Sequence, residues 1–218
     1  MRRLLVVSVL VLACGSSNDD GGGGPSGTIG GRPFTPREVR TIPAGTGATP
    51  CTVPVGGIDV SVGVKALALD FTSYADACGD YASSQCRLHA NAQNVTVILA
   101  KINPTGTEPA LSLGTYTVTA SPTTAIPDGT GLLTVAFGQA LATDPSCAGA
   151  PSPTVQGGTV RLDQVTASSV TGRVSLTFQD GSSLEGDFSA PICSGASPDI
   201  CMLATAQALC TLPPACVQ

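Results

Sequence analysis

The sequence predicts an all-β fold: an antiparallel β-sandwich, with a closed β-barrel as the alternative, followed by a short C-terminal helix stapled by disulfides. From about Thr28 onwards, short β-branched and aromatic stretches alternate with Gly, Pro, Asn and Asp, which mark turns between strands. Near the C-terminus, apolar and polar residues alternate with a period of two over two successive segments, a pattern typical of half-buried antiparallel strands. A chain of 218 residues is long enough to bury one substantial core.

The N-terminus has the pattern of an export signal. The basic start Met1-Arg2-Arg3 precedes an apolar run at 4–12 that is interrupted only by Ser8. About nine apolar residues are too few to cross a bilayer core of roughly 30 Å as a helix, so we interpret the run as part of a signal peptide. The run ends in Val11-Leu12-Ala13-Cys14, which resembles the lipobox of bacterial lipoprotein precursors.

This resemblance implies a diacylglycerol on the Cys14 thiol and cleavage of the bond before it, so that residues 1–13 are the signal peptide. Gly15 stands where an inner-membrane retention signal usually has Asp, which favours an outer-membrane anchor. An ordinary signal peptide with a chance cysteine is the alternative. Residues 14–26 are rich in Gly, Ser and Asp and have too few apolar side chains to fold, so we expect a flexible tether after the lipidated cysteine.

The β-domain is expected at 27–196, and its last two strands have the clearest pattern. The predicted strands are 28–34, 58–72, 95–102, 116–120, 132–137, 159–165, 170–178 and 184–192. Directly opposed residues share a face, so the last two strands need a three-residue loop that ends at Gly181 in the left-handed conformation of a G1 bulge. Leu176 would then oppose Leu184. Phe188 would cover the bare backbone of Gly172.

Residues 197–218 are expected to form a Cys-rich helical tail. The run Ser197-Pro198-Asp199 combines a capping serine, a proline suited to the first turn and an aspartate near the positive end of the helix dipole. The helix would extend over about 200–209 before Pro213-Pro214 ends it. An amphipathic membrane helix is a weaker alternative, because the tail contains no Lys or Arg.

The cysteines indicate a disulfide framework. Nine are present, and lipidation of Cys14 leaves eight: Cys51, Cys78, Cys86, Cys147, Cys193, Cys201, Cys210 and Cys216. An even number in an exported chain favours disulfides over metal ligands, and a zinc site would need close cysteine pairs or more histidines than the single His89. Eight cysteines allow on the order of a hundred pairings, so the sequence leaves the connectivity open. We suspect one local pair, Cys78 with Cys86, around a polar loop at 79–85.

Several motifs occur together: the lipobox, Gly-Gly-Arg-Pro-Phe at 30–34, the apolar strand that leads to Cys78, Gly-Thr-Tyr at 114–116, and the closing segment 172–193. In this combination the chain resembles a group of uncharacterised predicted lipoproteins that are abundant in myxobacteria and related proteobacteria. The resemblance covers most of the mature chain, but its motifs are strand and turn signatures, so it implies an architecture and no activity. Cys86 and the four-cysteine tail depart from the sparser pattern of that group, so no disulfide pairing is carried over.

The charge balance argues against nucleic acid or an anionic membrane surface as a partner. The chain has a net charge of −5, and loss of Arg2 and Arg3 with the signal peptide makes it −7 (−5 minus 2). No basic cluster is present to neutralise phosphates. The expected partners are a membrane, through the diacylglyceryl-cysteine, and an unidentified protein or envelope component.

No residue pattern specifies catalysis, a cofactor or a metal. One histidine leaves little with which to build a Ser-His-Asp triad, and we expect His89, in a polar loop at 87–91, on the solvated surface. Asp76 and Asp80 are weaker candidates for calcium, because the twelve-residue ligand pattern is absent. Glu185 and Asp187 lie on the solvent face of the predicted hairpin and so are interpreted as surface charges.

The leading functional hypothesis is a non-catalytic, lipid-anchored envelope protein whose β-domain binds a partner or contributes to the cell coat. One alternative is an envelope hydrolase that uses a carboxylate pair. A glycosidase, however, usually lines its cleft with aromatics, and this chain has no Trp and three Tyr. A barrel that encloses a small lipid is the other alternative, and a continuous apolar cavity would be its signature.

Overall fold

The computed structural model describes residues 24–45, 50–55, 58–82, 85–121, 126–194 and 212–217. One short helix, α1 (Ala77–Ala82), lies among the strands of this part of the chain. The strands are β1 (Ser26–Ile29), β2 (Arg32–Phe34), β3 (Glu38–Gly45), β4 (Cys51–Val55), β5 (Ile58–Thr72), β6 (Gln85–His89), β7 (Gln93–Asn103), β8 (Gly114–Thr119), β9 (Ile126–Pro127), β10 (Leu133–Thr143), β11 (Gly149–Ala150), β12 (Val155–Val165), β13 (Ser169–Phe178), β14 (Ser183–Pro191) and β15 (Leu212–Val217). The predicted all-β class is confirmed.

Thirteen of the strands form a single sheet whose main path runs β2-β1-β14-β13-β12-β8-β10-β7-β5-β3. The sheet is mixed: β8 and β10 are parallel, while the other neighbours on this path are antiparallel. Three short strands pair beside the path, β4 with β5, and β9 and β11 with β10. The remaining two strands, β6 and β15, form a separate parallel pair.

The sheet curls until its β3 end meets β14. Thr41 and Ile192 form a parallel bridge, and the Cys193 N–H donates to the Thr41 carbonyl at 2.9 Å. The two stacked sheets of the predicted sandwich are therefore not confirmed, because the described strands follow one continuous path. Successive strands that alternate apolar and polar residues can curl in this way and enclose one apolar face.

The inner face of the curled sheet is packed with side chains. Its fully buried large residues include Phe34, Phe71, Phe178, Ile29, Leu69, Leu99, Leu162, Leu176 and Leu184. Phe71 and Phe188 meet edge to face, with ring centroids 5.9 Å apart and planes at 89°. Each such side chain contributes about 1.5–3 kcal/mol by leaving water, so this core is the main source of stability.

The predicted hairpin of β13 and β14 is confirmed in register and in turn. Leu176 opposes Leu184, and Phe188 opposes Gly172. A Cβ on Gly172 would lie 3.1 Å from the Phe188 ring and 1.9 Å from the Arg161 carbonyl oxygen, so only glycine fits at this position of β13. Gly181 has φ of 82° and donates its N–H to the Phe178 carbonyl at 3.0 Å, closing the three-residue loop.

Of the other predicted elements, some are confirmed and some are not. The strand expected at 28–34 is split into β1 and β2 by Gly30 and Gly31, whose φ angles of 60° and 71° form a turn. Ile58–Thr72 is one strand, as predicted. The helix expected at 200–209 lies outside the described residues. The end of the tail is a strand, β15, rather than part of a helical tail.

Two disulfides connect α1 and β15 to segments that adjoin strands of the main sheet. Cys78 is bonded to Cys193 with Cα atoms 5.3 Å apart, and Cys147 to Cys216 with Cα atoms 5.6 Å apart. Cys51 is disulfide-bonded as well. The suspected pair of Cys78 with Cys86 is wrong, because much of the expected loop at 79–85 is helix α1, and α1 packs Cys78 beside Cys193 on the outside of the sheet.

Candidate functional site

A polar cluster of Tyr74, Asp80 and His89 lies on the outer surface of the curled sheet. Tyr74 follows the C-terminal end of β5, Asp80 lies on α1 and His89 is the last residue of β6. The three residues lie within sixteen positions of the chain, and α1 contacts both β3 and β6. Helix α1 begins where the Glu38 carboxylate accepts the Ala77 N–H at 2.9 Å, which caps one of the helix's unpaired donors.

His89 is held on two sides. Its Nε2 lies 3.0 Å from Oδ2 of Asp80, and its ring stacks on Tyr74 with centroids 3.7 Å apart and planes at 14°. The side chains of His89 and Asp80 are each 12% exposed. The predicted position of His89 on the solvated surface is therefore wrong: α1 covers one side of its strand, and Thr143 on β10 donates to its carbonyl from beneath.

Burial sets the electrostatics of this cluster. Loss of water raises the pKa of the Asp80 carboxyl above its ordinary value, against the opposing hydrogen bond and charge of His89 and the charge of Arg87. The pKa of the Tyr74 phenol is raised well above its ordinary range, first by burial and then by the nearby negative charges of Asp70 and Asp80. Folding thus makes both groups harder to ionise than they are in water.

Polar partners continue beneath the cluster. Asp70 is 1% exposed and accepts hydrogen bonds from Thr96 Oγ1 at 2.8 Å and from Asn94 Nδ2 at 3.3 Å. Arg40 lies directly opposite Asp70 in the β3–β5 register. A buried carboxylate needs such donors, because an unsatisfied one would cost several kcal/mol. The outer face of β5 is therefore polar at Asp70, while the adjacent inward positions Leu69 and Phe71 are apolar.

Asp76 and Asp80, the weaker calcium candidates, have side-chain partners instead. Arg87 Nη1 lies 3.0 Å from Oδ2 of Asp76, while Asp80 faces His89. Asp76 has φ of 71°, a left-handed conformation that aspartate tolerates. Among the described residues, no group of three or more His, Cys, Asp or Glu side chains could hold a metal ion.

The cluster can exchange protons but does not resemble a nucleophilic relay. A histidine paired with a carboxylate acts as a general base when its other side reaches a hydroxyl or thiol. No Ser, Thr or Cys side chain in the described part of the chain is hydrogen-bonded to the His89 ring. The described part of the cluster is therefore an imidazole–carboxylate pair without a hydrogen-bonded nucleophile.

The exposed carboxylates of the hairpin lie on the solvent face, as predicted. Arg173 donates to Glu185 at 2.8 Å and to Asp187 at 3.3 Å, across the outer side of β13 and β14. Both acidic side chains are more than half exposed. They form a surface ion-pair group with Arg173.

A second charged contact was not foreseen from the sequence. Lys101, on the inner face at the end of β7, is 6% exposed, and its Nζ lies 2.5 Å from Oδ2 of Asp128. Lys65 opposes Lys101 on β5 and pairs with Glu108 at 3.0 Å. The lysines are thus neutralised by acids from two loops that cover this end of the curled sheet.

Of the predicted disulfide residues, the structure places five in bonds: Cys51, Cys78, Cys147, Cys193 and Cys216. Cys14, Cys201 and Cys210 lie outside the described residues, as does the side chain of Cys86. Helix α1 has six residues, and no helix in the described ranges is long and apolar enough to cross a membrane.

The described residues therefore define a disulfide-stapled all-β domain with a filled interior and a polar cluster on its outer surface. Comparison with protein families, curated proteins and solved structures found no significant match.

Proposed function

We propose that this chain is a lipid-anchored protein of the cell envelope, held at the outer membrane by Cys14, with a non-catalytic β-domain that binds a partner or contributes to the coat. The observation that carries the proposal is the disulfide framework of the folded domain. Cys78–Cys193 and Cys147–Cys216 join residues far apart in the chain, and such bonds persist in oxidising compartments outside the cytosol. The signal-like N-terminus supplies the export route.

The filled interior favours this role over that of a small-lipid carrier. A carrier barrel needs a continuous apolar cavity, whereas Phe71, Phe178 and Phe188 occupy the inner face here. The bridge between Thr41 and Ile192 favours a closed barrel over a sandwich as the finer description of the sheet. The ion-paired state of Glu185 and Asp187 likewise gives no support to a hydrolase.

The first prediction tests the anchor. Cys14→Ser removes the thiol that would accept the diacylglycerol, so we expect loss of palmitate labelling and either an unprocessed precursor or a product released from the membrane fraction. Ser16→Ala, two residues away, is the matched control and should label and fractionate as the unmodified protein does. Palmitate labelling of the Cys14→Ser protein at the control level would overturn the proposal.

A further inference from the structure

A cleft of about 430 Å³ opens beside β14, between the part of its edge that pairs with β1 and the point where β3 meets its end. Strand β1 pairs with β14 only as far as Glu185, and β3 joins β14 only at Ile192. Between these points the seam is open. We call this opening the seam cleft; its walls are Gly24, Pro25, Pro36, Arg37, Glu38, Val39, Asp187, Phe188 and Ser189. Its volume lies within the range of about 300–1,000 Å³ that small-ligand sites occupy.

The walls of the seam cleft combine apolar side chains with an arginine, Arg37, that has no ion-pair partner among the described residues. Glu38 is engaged by Arg40 and by the Ala77 N–H, and Asp187 by Arg173. The Arg37 side chain is exposed and forms no ion pair within the described part of the chain. Arg37 is therefore the cationic group of the wall that is available to an anion, beside two carboxylates that already have arginine partners.

The seam cleft also contains a backbone N–H that could donate to an anion. The Phe178 N–H donates to the Ser182 carbonyl, just before β14, and the Ile192 N–H, just after β14, donates to the Ser168 carbonyl. The even-numbered residues of β14 are therefore the ones whose backbone groups bond to β13. Because bonding directions alternate along a strand, the N–H of Ser189 points to the seam instead. A guanidinium together with a backbone N–H is a common way to bind the oxygens of a phosphate.

The position of the seam cleft suggests where that phosphate comes from. Gly24 and Pro25 form part of its wall, and Cys14 is ten residues before Gly24. Ten residues in any conformation span at most about 36 Å, so the cleft stays within that distance of the proposed lipid anchor. The headgroup layer of the same membrane lies in this range.

We infer that the seam cleft binds a phosphate ester through Arg37 and the Ser189 N–H, and that in the anchored protein this is the headgroup phosphate of a phospholipid. The choice of a lipid rests on the proposed anchoring at Cys14. The binding of a phosphate is argued from Arg37 and Ser189 and does not depend on that anchor. A domain with net negative charge is repelled by a strongly anionic surface, so a zwitterionic headgroup such as phosphatidylethanolamine is the fitting class. A single phosphate contact then orients the seam cleft towards the bilayer.

The test uses the lipidated protein in detergent and counts bound lipid by native mass spectrometry. The probes are dioleoyl phosphatidylethanolamine and dioleoylglycerol, which has the same chains without a phosphate. Arg37→Gln should weaken phosphatidylethanolamine binding about tenfold or more, the loss expected for a charge-assisted hydrogen bond. Arg32→Gln is the matched control, because Arg32 is also exposed but lies at the turn end of the β1–β2 hairpin, away from Pro25. Dioleoylglycerol should not bind at this site.

A parallel arm separates the two sources of phosphate and the two proposals. The full chain carrying Cys14→Ser is titrated with glycerol phosphate, so its result does not depend on lipidation. Glycerol phosphate binding that needs Arg37, without phosphatidylethanolamine binding, supports the phosphate site and assigns it to a soluble ester. Equal binding by the Arg37→Gln and Arg32→Gln proteins, equal binding of dioleoylglycerol, or no binding of either phosphate probe overturns the inference.

Discussion

The buried phenol of Tyr74 makes the stability of the domain depend on pH. This phenol is packed against His89 and hydrogen-bonded to Asp80, and burial together with the neighbouring carboxylates opposes its ionisation. In the unfolded chain the same phenol would ionise near its ordinary pKa of about 10. A group whose pKa is raised by folding contributes stability below its unfolded pKa and loses that contribution as pH rises above it.

We therefore expect the domain to lose stability steeply above about pH 10. In an alkaline titration followed by ultraviolet absorbance, the Tyr74 phenol should not ionise until the domain unfolds. In Tyr74→Phe the loss of stability above about pH 10 should be smaller, because the buried phenol is absent. An unfolding midpoint that is the same function of pH in both proteins would contradict the role assigned to burial of Tyr74.

Lys101 and Asp128 give a second test at this scale. The hydrogen bond from Lys101, with further donors from Thr130, lowers the pKa of the Asp128 carboxyl well below its ordinary value. Asp128→Asn leaves the buried ammonium of Lys101 without its counter-charge and should lower the melting temperature by several degrees. Asp163→Asn, which breaks the exposed pair with Arg161, should change it little. Equal effects of the two substitutions would show that Lys101 is effectively solvated.

The β13–β14 hairpin is the element on which the sheet register depends most directly. Gly181 needs its left-handed φ of 82° to close the loop, although no atom lies within 4 Å of the position a Cβ would take. The penalty for a β-branched residue there comes from the backbone alone. Phe188, in contrast, is buried against Phe71 and covers Gly172.

Three substitutions in this hairpin should rank in a set order in urea denaturation. Phe188→Ala should cost about 3–5 kcal/mol because it leaves a cavity in the core. Gly181→Val should cost about 1–3 kcal/mol through backbone strain. Ser183→Val, on the exposed face, should stay within about 0.5 kcal/mol. Three equal values would contradict the register and the turn.

Period-two alternation made some elements predictable and left others hidden. The alternating pattern predicted the hairpin down to its opposed pairs, and an apolar stretch predicted the full extent of β5. Strand β3 was missed, because Glu38, Arg40 and Pro43 interrupt its apolar pattern where the curled sheet later buries it. Helix α1 is too short to show a helical period.

The polar cluster was beyond reach for a different reason. Tyr74, Asp80 and His89 come together because α1 packs against β6 and Tyr74 stacks on His89, which is a tertiary arrangement that no local pattern records. A single histidine in a polar stretch looks like a surface residue. The exposed positions of Glu185 and Asp187 were predictable because they follow from strand alternation alone.

At the scale of the whole molecule, the disulfides connect segments that are far apart in the sequence. Cys78 and Cys193 are 115 residues apart and join α1 to the end of β14; Cys147 and Cys216 are 69 apart and join the segment after β10 to the C-terminal strand. Loops of this length are those for which cross-linking restricts the unfolded chain most, by about 2–4 kcal/mol for each bond. Sequence spacing could not reveal such pairings.

Disulfide mapping of the protein recovered from the envelope tests the central claim most directly. Non-reducing proteolysis and mass spectrometry should yield one peptide pair joined by Cys78 and Cys193, another joined by Cys147 and Cys216, and no titratable thiol in the folded domain. That result requires both the curled sheet and an oxidising compartment. A peptide pair linking Cys78 to Cys86, or two or more free thiols in the native protein, would contradict the account.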